Sequence, residues 1–143
     1  MSKPIFKEYI KSQSVSDLHL NEECITCSPK ESVLSVAQIL AKSKIGSILI
    51  VSSDAPKIAL GIFTERDLIR CVANPELNLA TEEISKHMTP NPKTISRATS
   101  LYSMMAAMRI GRFRHLVVSD DSGRFCGVIS IRDIVVHLVD ELA

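Results

Sequence analysis

Leu60-Gly61-Ile62-Phe63-Thr64-Glu65-Arg66-Asp67-Leu68 returns further along the chain as Cys126-Gly127-Val128-Ile129-Ser130-Ile131-Arg132-Asp133-Ile134. Glycine, two apolar residues, a hydroxyl, any residue, arginine, aspartate and an aliphatic recur in that order, 66 residues apart from Gly61 to Gly127. Each copy reads as a short buried strand that stops at Thr64 or Ser130, followed by a helix with an Asp in its first turn. The functional residues are expected at this junction.

The neighbouring segments repeat as well. Ile45-Gly46-Ser47-Ile48-Leu49-Ile50-Val51 is rich in β-branched residues and too short to prefer helix, so it reads as a buried strand. A turn through Asp54 and Pro56 joins it to Ile58–Phe63. Upstream, Val33, Val36, Ala37 and Leu40 share one helical face behind Ser32 as N-cap, and a short strand is expected around Ile25 and Thr26. Leu68, Ile69 and Val72 are the apolar positions of the helix that Asn74-Pro75 ends. In the second copy Thr94-Ile95 supplies the short strand, and Leu101, Met104, Met105 and Met108 the helical stripe. His115–Val118 is the next strand, Asp121-Ser122-Gly123 a tight turn, and Ile134, Val135, Leu138 and Val139 the last apolar face.

The predicted architecture is therefore α/β (α+β): two β-α-β-β-α repeats over residues 21–75 and 87–143. Residues 1–20 form an N-terminal extension and 76–86 a connector with room for a turn of helix. A three-stranded sheet is marginal alone, so the copies are expected to pack about a pseudo-twofold axis with equivalent junctions on a common cleft.

Composition narrows the function classes. With 143 residues, 45% of them hydrophobic, the chain can fill a core. Seventeen basic against 16 acidic residues leave a formal charge of +1, which gives no general attraction to nucleic acid or anionic lipid. The first ten residues lack the apolar centre of a signal peptide, and no apolar run approaches the roughly 20 residues of a membrane span. A cytoplasmic protein is expected, with Cys24, Cys27, Cys71 and Cys126 reduced. Cys24-x-x-Cys27 lacks a second ligand pair, so no metal site is expected, and His19, His87 and His137 have no triad or metal spacing. The methionine stripe reads as core or dimer interface. No P-loop, nucleophile elbow or catalytic acid pair is present, which argues against an enzyme. Thr64-x-x-Asp67 and Ser130-x-x-Asp133 also match capping boxes, in which hydroxyl and acid satisfy the first helical amides.

With these residues in order, the chain resembles a tandem pair of CBS domains, the cystathionine β-synthase type module, over nearly everything after residue 20. The stretches that carry the resemblance are Ile45–Val51, Gly61–Leu68, His87-Met88-Thr89-Pro90, Arg114–Val118 and Gly127–Ile134. It implies a free-standing, non-enzymatic regulatory module that requires no cofactor. The implied ligand is AMP, ADP or ATP, with S-adenosylmethionine or NAD(H) ranking after them. Homodimerisation through the helices and an unnamed downstream protein partner are also implied. The resemblance makes Asp67 and Asp133 ribose acceptors and Thr64 and Ser130 phosphate-side donors. It further implies that each site borrows the first strand of the other copy. Ile25, Thr26, Thr94 and Ile95, with Gly46, Ser47, Ile48, Arg114 and His115, would then surround the base and phosphates.

The chemistry agrees. A helix N-terminus favours phosphate, and a carboxylate, which only accepts hydrogen bonds, suits a ribose diol. The first copy has Ser47 where the second has His115, so the second site is expected to be better equipped for phosphate. The competing reading is a homodimeric interaction scaffold that binds no ligand.

Overall fold

The computed structural model describes residues 2–18 and 24–142. In chain order its elements are α1 (Lys3–Ser12), β1 (Thr26–Cys27), α2 (Val33–Ser43), β2 (Ser47–Val51), β3 (Ala59–Thr64) and α3 (Glu65–Ala73). They continue as β4 (Thr89–Pro90), β5 (Thr94–Ser96), α4 (Leu101–Gly111), β6 (His115–Ser119), β7 (Phe125–Ser130) and α5 (Ile131–Leu142). Two compact units result: Ile25–Pro92 forms one, and Met1–Cys24 with Lys93–Ala143 forms the other.

In the unit Ile25–Pro92 the sheet runs β1-β2-β3-β4. β1 is parallel to β2, and the remaining pairs are antiparallel. Every residue of β2 after Ser47 is buried, as its unbroken apolar sequence requires. Ser32 caps α2 by accepting from Ser35 N at 3.0 Å, and Val33, Val36 and Leu40 then pack with Ile48, Ile50 and Phe63. Gly61 allows β4 to lie close: a Cβ there would run into the Met88 side chain and stand 2.9 Å from the Thr89 carbonyl oxygen.

The other unit repeats this plan with the sheet β5-β6-β7. β5 is parallel to β6 and β6 antiparallel to β7, and His115 faces Ser130 as Ser47 faces Thr64. The 120–124 turn is held by Asp120 Oδ1, which accepts from Ser122 N, Ser122 Oγ and Arg124 N, and Gly123 takes the positive φ of 85°. The N-terminal extension belongs to this core. Ile10, Val15 and Leu18 are buried against Leu101, Met104, Met108, Leu116, Ile129 and Ile134.

Each unit also receives a short 3₁₀ turn from ahead of the other copy. At Val15–Asp17, Val15 N donates to Thr99 O and Ser16 N to Arg97 O. At Ile84–Lys86, the helical turn foreseen in the connector, Ile84 N donates to Glu31 O and Ser85 N to Pro29 O. The first strands are not exchanged between the sheets; β1 and β5 pair with their own copies.

Two apolar faces differ from the sequence reading. α3 turns Asp67 and Cys71 inward, which leaves Ile69 and Val72 exposed, and on α5 Ile134 is buried while Val135 and Val139 are exposed. Adjacent apolar residues on a helix cannot all face one sheet, and the inward stripe is set by the capping Asp. Among the described residues no helix is long and apolar enough to cross a membrane.

Both α2 and α4 end on a cation in the left-handed region, Lys44 and Arg112, each at φ 55°. A charge at a helix C-terminus is favourable, but an L side chain in this conformation costs about 1–2 kcal/mol. Lys44→Gly is therefore expected to raise stability by roughly 1 kcal/mol. Urea melts of the two proteins measure this, and a loss of stability would contradict it.

Candidate functional site

In each unit a strand ends and a helix begins beside the start of the neighbouring strand. Thr64 closes β3 and opens α3: its backbone N and its Oγ1 donate to Asp67 Oδ2 at 2.9 and 3.1 Å, and Asp67 N donates back to Thr64 Oγ1 at 3.4 Å. Glu65 N donates to Gly46 O at 3.0 Å and Ser47 pairs with Thr64, so Gly46 and Ser47 border the junction. The Ile48 side chain is in the core. Thr26 pairs with Leu49 one strand away, and exposed Ile25 precedes it.

The second junction has the same bonds. Ser130 N and Oγ donate to Asp133 Oδ2 at 2.7 and 3.0 Å, and Asp133 N donates to Ser130 Oγ at 3.2 Å. Ile131 N donates to Arg114 O at 2.9 Å, and His115 pairs with Ser130. Thr94 pairs with Val117 and is exposed; Ile95 pairs with Val118 and packs against the core. Within each unit the structure thus groups the sequence-predicted residues: Ile25, Thr26, Gly46, Ser47, Thr64 and Asp67 in one, Thr94, Arg114, His115, Ser130 and Asp133 in the other.

Both capping boxes are formed, so each hydroxyl and acid has a structural task whether or not a ligand binds. The junctions differ in what remains accessible. Asp67 is only 4% exposed and its Oδ1 lies 3.3 Å from the Arg70 guanidinium, whereas Asp133 is exposed. Arg70 was not among the residues expected at the site; its position three residues after Asp67 on one helix was the available signal. Beside it lies a depression of about 320 Å³ lined by Asp67, Arg70, Cys71, Asn74, Leu77, Lys86 and His87, with His87 Nε2 3.0 Å from Glu82 Oε1.

Burial makes Cys24, Cys27 and Cys71 poor nucleophiles. Burial, reinforced by Glu31, pushes the Cys27 thiol up to about 11, and burial followed by the proximity of Cys126 raises Cys24. Because the unfolded thiol ionises first, stability is independent of this group below about pH 9 and falls as pH rises from there toward 11. Among the described residues no group of three or more His, Cys, Asp or Glu could hold a metal ion.

The CBS domain pattern matches residues 15–74 and 82–140. Each match begins just before or at the 3₁₀ turn that sits in the other unit. Among solved structures, a CBS domain protein of Pyrobaculum aerophilum complexed with AMP is 28% identical, with 89% of this chain and 96% of that one covered and a TM-score of 0.78. A CBS domain pair solved with 5′-methylthioadenosine and S-adenosyl-L-methionine is 25% identical, covering 90% and 98% at a TM-score of 0.78. An uncharacterised 17.7 kDa protein of Acidianus ambivalens is 28% identical over 112 residues, 78% of this chain and 65% of its own length. The chain thus spans less than two thirds of the curated relatives it matches first.

Proposed function

This chain belongs to the CBS domain family, and we propose that it is a regulatory module whose ligand is an adenosine-containing nucleotide held at Ser130 and Asp133. The observation that carries this reading is the exposed Asp133 carboxylate at a helix N-terminus, beside Ser130, Arg114 and His115. A carboxylate there accepts from ribose hydroxyls, while the amides of the first helical turn and the Arg114 guanidinium favour the phosphate end. The AMP and S-adenosylmethionine bound by similar CBS proteins support the adenosyl class. Among nucleotides AMP, ADP and ATP rank first, and the role is regulatory, not enzymatic.

Thermal melting of the full chain with AMP, ADP, ATP, S-adenosylmethionine and NADH tests this. A ligand present at 100 times its Kd adds about 2.7 kcal/mol, which for a chain of this size raises Tm by roughly 5–10 °C. No shift with any of the five would contradict the reading.

A second reading is favoured by the exposed Ile69 and Val72 on α3 and Val135, Val136 and Val139 on α5. These apolar faces suit association of the chain with a second copy. We propose homodimerisation as an accompaniment to ligand binding; as the sole task it is the scaffold alternative, which the melting experiment separates.

A further inference from the structure

We infer that Arg70 sets the ligand stoichiometry by occupying the Asp67 carboxylate, which leaves one usable junction in each chain. The inference rests on the reading that Ser130 and Asp133 hold the nucleotide. The two junctions are alike up to the capping aspartate: strand pairing, hydroxyl and reciprocal cap recur at equivalent positions. The difference lies one helical turn further on. Three residues after Asp67 stands Arg70, whose guanidinium is 3.3 Å from Oδ1; three residues after Asp133 stands Val136, which has nothing to donate.

A ribose diol needs an accessible oxygen with acceptor capacity. At Asp67, Oδ2 already accepts from Thr64 N and Oγ1, and Oδ1, the oxygen left for a ligand, faces a permanent cation on the wall of the depression that both residues line. A neutral hydroxyl would have to displace a charged donor to bind there, and charge-assisted bonds are the stronger ones. Arg70 itself is 70% exposed, so its removal disturbs no packed core. The same chemistry predicts that a cation installed at 136 will close the second junction. Arg70 is a specificity-determining residue on this account: it takes no part in holding the ligand and decides where a ligand can be held.

Isothermal calorimetry with AMP on the full chain tests this, using wild type, Arg70→Val, Val136→Arg and Val136→Leu. Wild type is expected to bind one AMP per chain and Arg70→Val two. Val136→Arg should lose at least tenfold in affinity while still melting cooperatively in the absence of ligand, and Val136→Leu should bind as wild type does. Two sites in wild type, one site retained in Arg70→Val, or unaltered affinity in Val136→Arg would overturn the role of Arg70. A wild type that binds no AMP would instead remove the functional reading on which it rests.

Discussion

Asp133→Ala is expected to weaken AMP binding by about 30- to 150-fold, while Asp67→Ala leaves the affinity almost unchanged. Hydrogen bonds to a charged acceptor contribute about 1.5–3 kcal/mol, and losing 2–3 kcal/mol of ribose recognition corresponds to that range of affinity. The same carboxylate caps α5 by accepting from Ser130 N and Oγ, so the substitution also costs about 1 kcal/mol of stability. Binding must therefore be measured well below the melting transition. The effects on stability should run the other way. Asp67 is buried, and its loss leaves Thr64 N without its acceptor in a partly buried site. Asp67→Ala is thus the more destabilising of the two and the less harmful to binding. Equal losses of affinity in both variants would mean that burial and the Arg70 contact do not distinguish the junctions.

Phe63→Ala is expected to cost about 3–5 kcal/mol in urea unfolding, the largest stability effect among the substitutions considered. Phe63 is fully buried, pairs with Ile48 across the sheet, and packs with Val33, Val36, Leu40 and Ile84. Its contacts join α2, the β2–β3 hairpin and the 3₁₀ turn that precedes the second copy. A cavity here removes packing from three segments at once, and total stability for a protein of this size is typically only about 5–15 kcal/mol. A cost below 1 kcal/mol would show that the unit Ile25–Pro92 does not depend on this core.

The residues that organise the fold were legible because the sequence states them twice. Strand limits, the Ser32 cap and the two hydroxyl-x-x-Asp junctions follow from local patterns, and β2, β3, β6 and β7 lie within one or two residues of the predicted runs. The exchange of 3₁₀ turns was not legible. Val15-Ser16-Asp17 and Ile84-Ser85-Lys86 are similar, but nothing in a three-residue turn shows that its hydrogen-bond partners lie 84 and 53 residues away, at Thr99 and Glu31. Tertiary contacts decide that. The N-terminal extension contains the helix α1, and only the structure shows that its Ile10 enters the core while Ile5 remains exposed. His19 lies outside the described residues.

At the site, the sequence reading favoured the second junction because His115 replaces Ser47. The structure supplies a different reason. The capping aspartates differ in exposure, and one turn beyond the repeated motif, where the copies have diverged, Arg70 lies against the buried one while Val136 follows the exposed one. A motif-based reading stops at the Asp and misses the neighbour that contacts it.

The central claim, that the Asp133 carboxylate takes the ribose hydroxyls of an adenosyl ligand, is tested most directly by a thermodynamic cycle. AMP and its 2′,3′-dideoxy analogue are titrated into wild type and Asp133→Ala, and the four affinities are compared. The predicted result is a large loss when either the hydroxyls or the carboxylate is removed, with little further loss when both are. Two independent losses that simply add would place the ribose elsewhere and contradict the account.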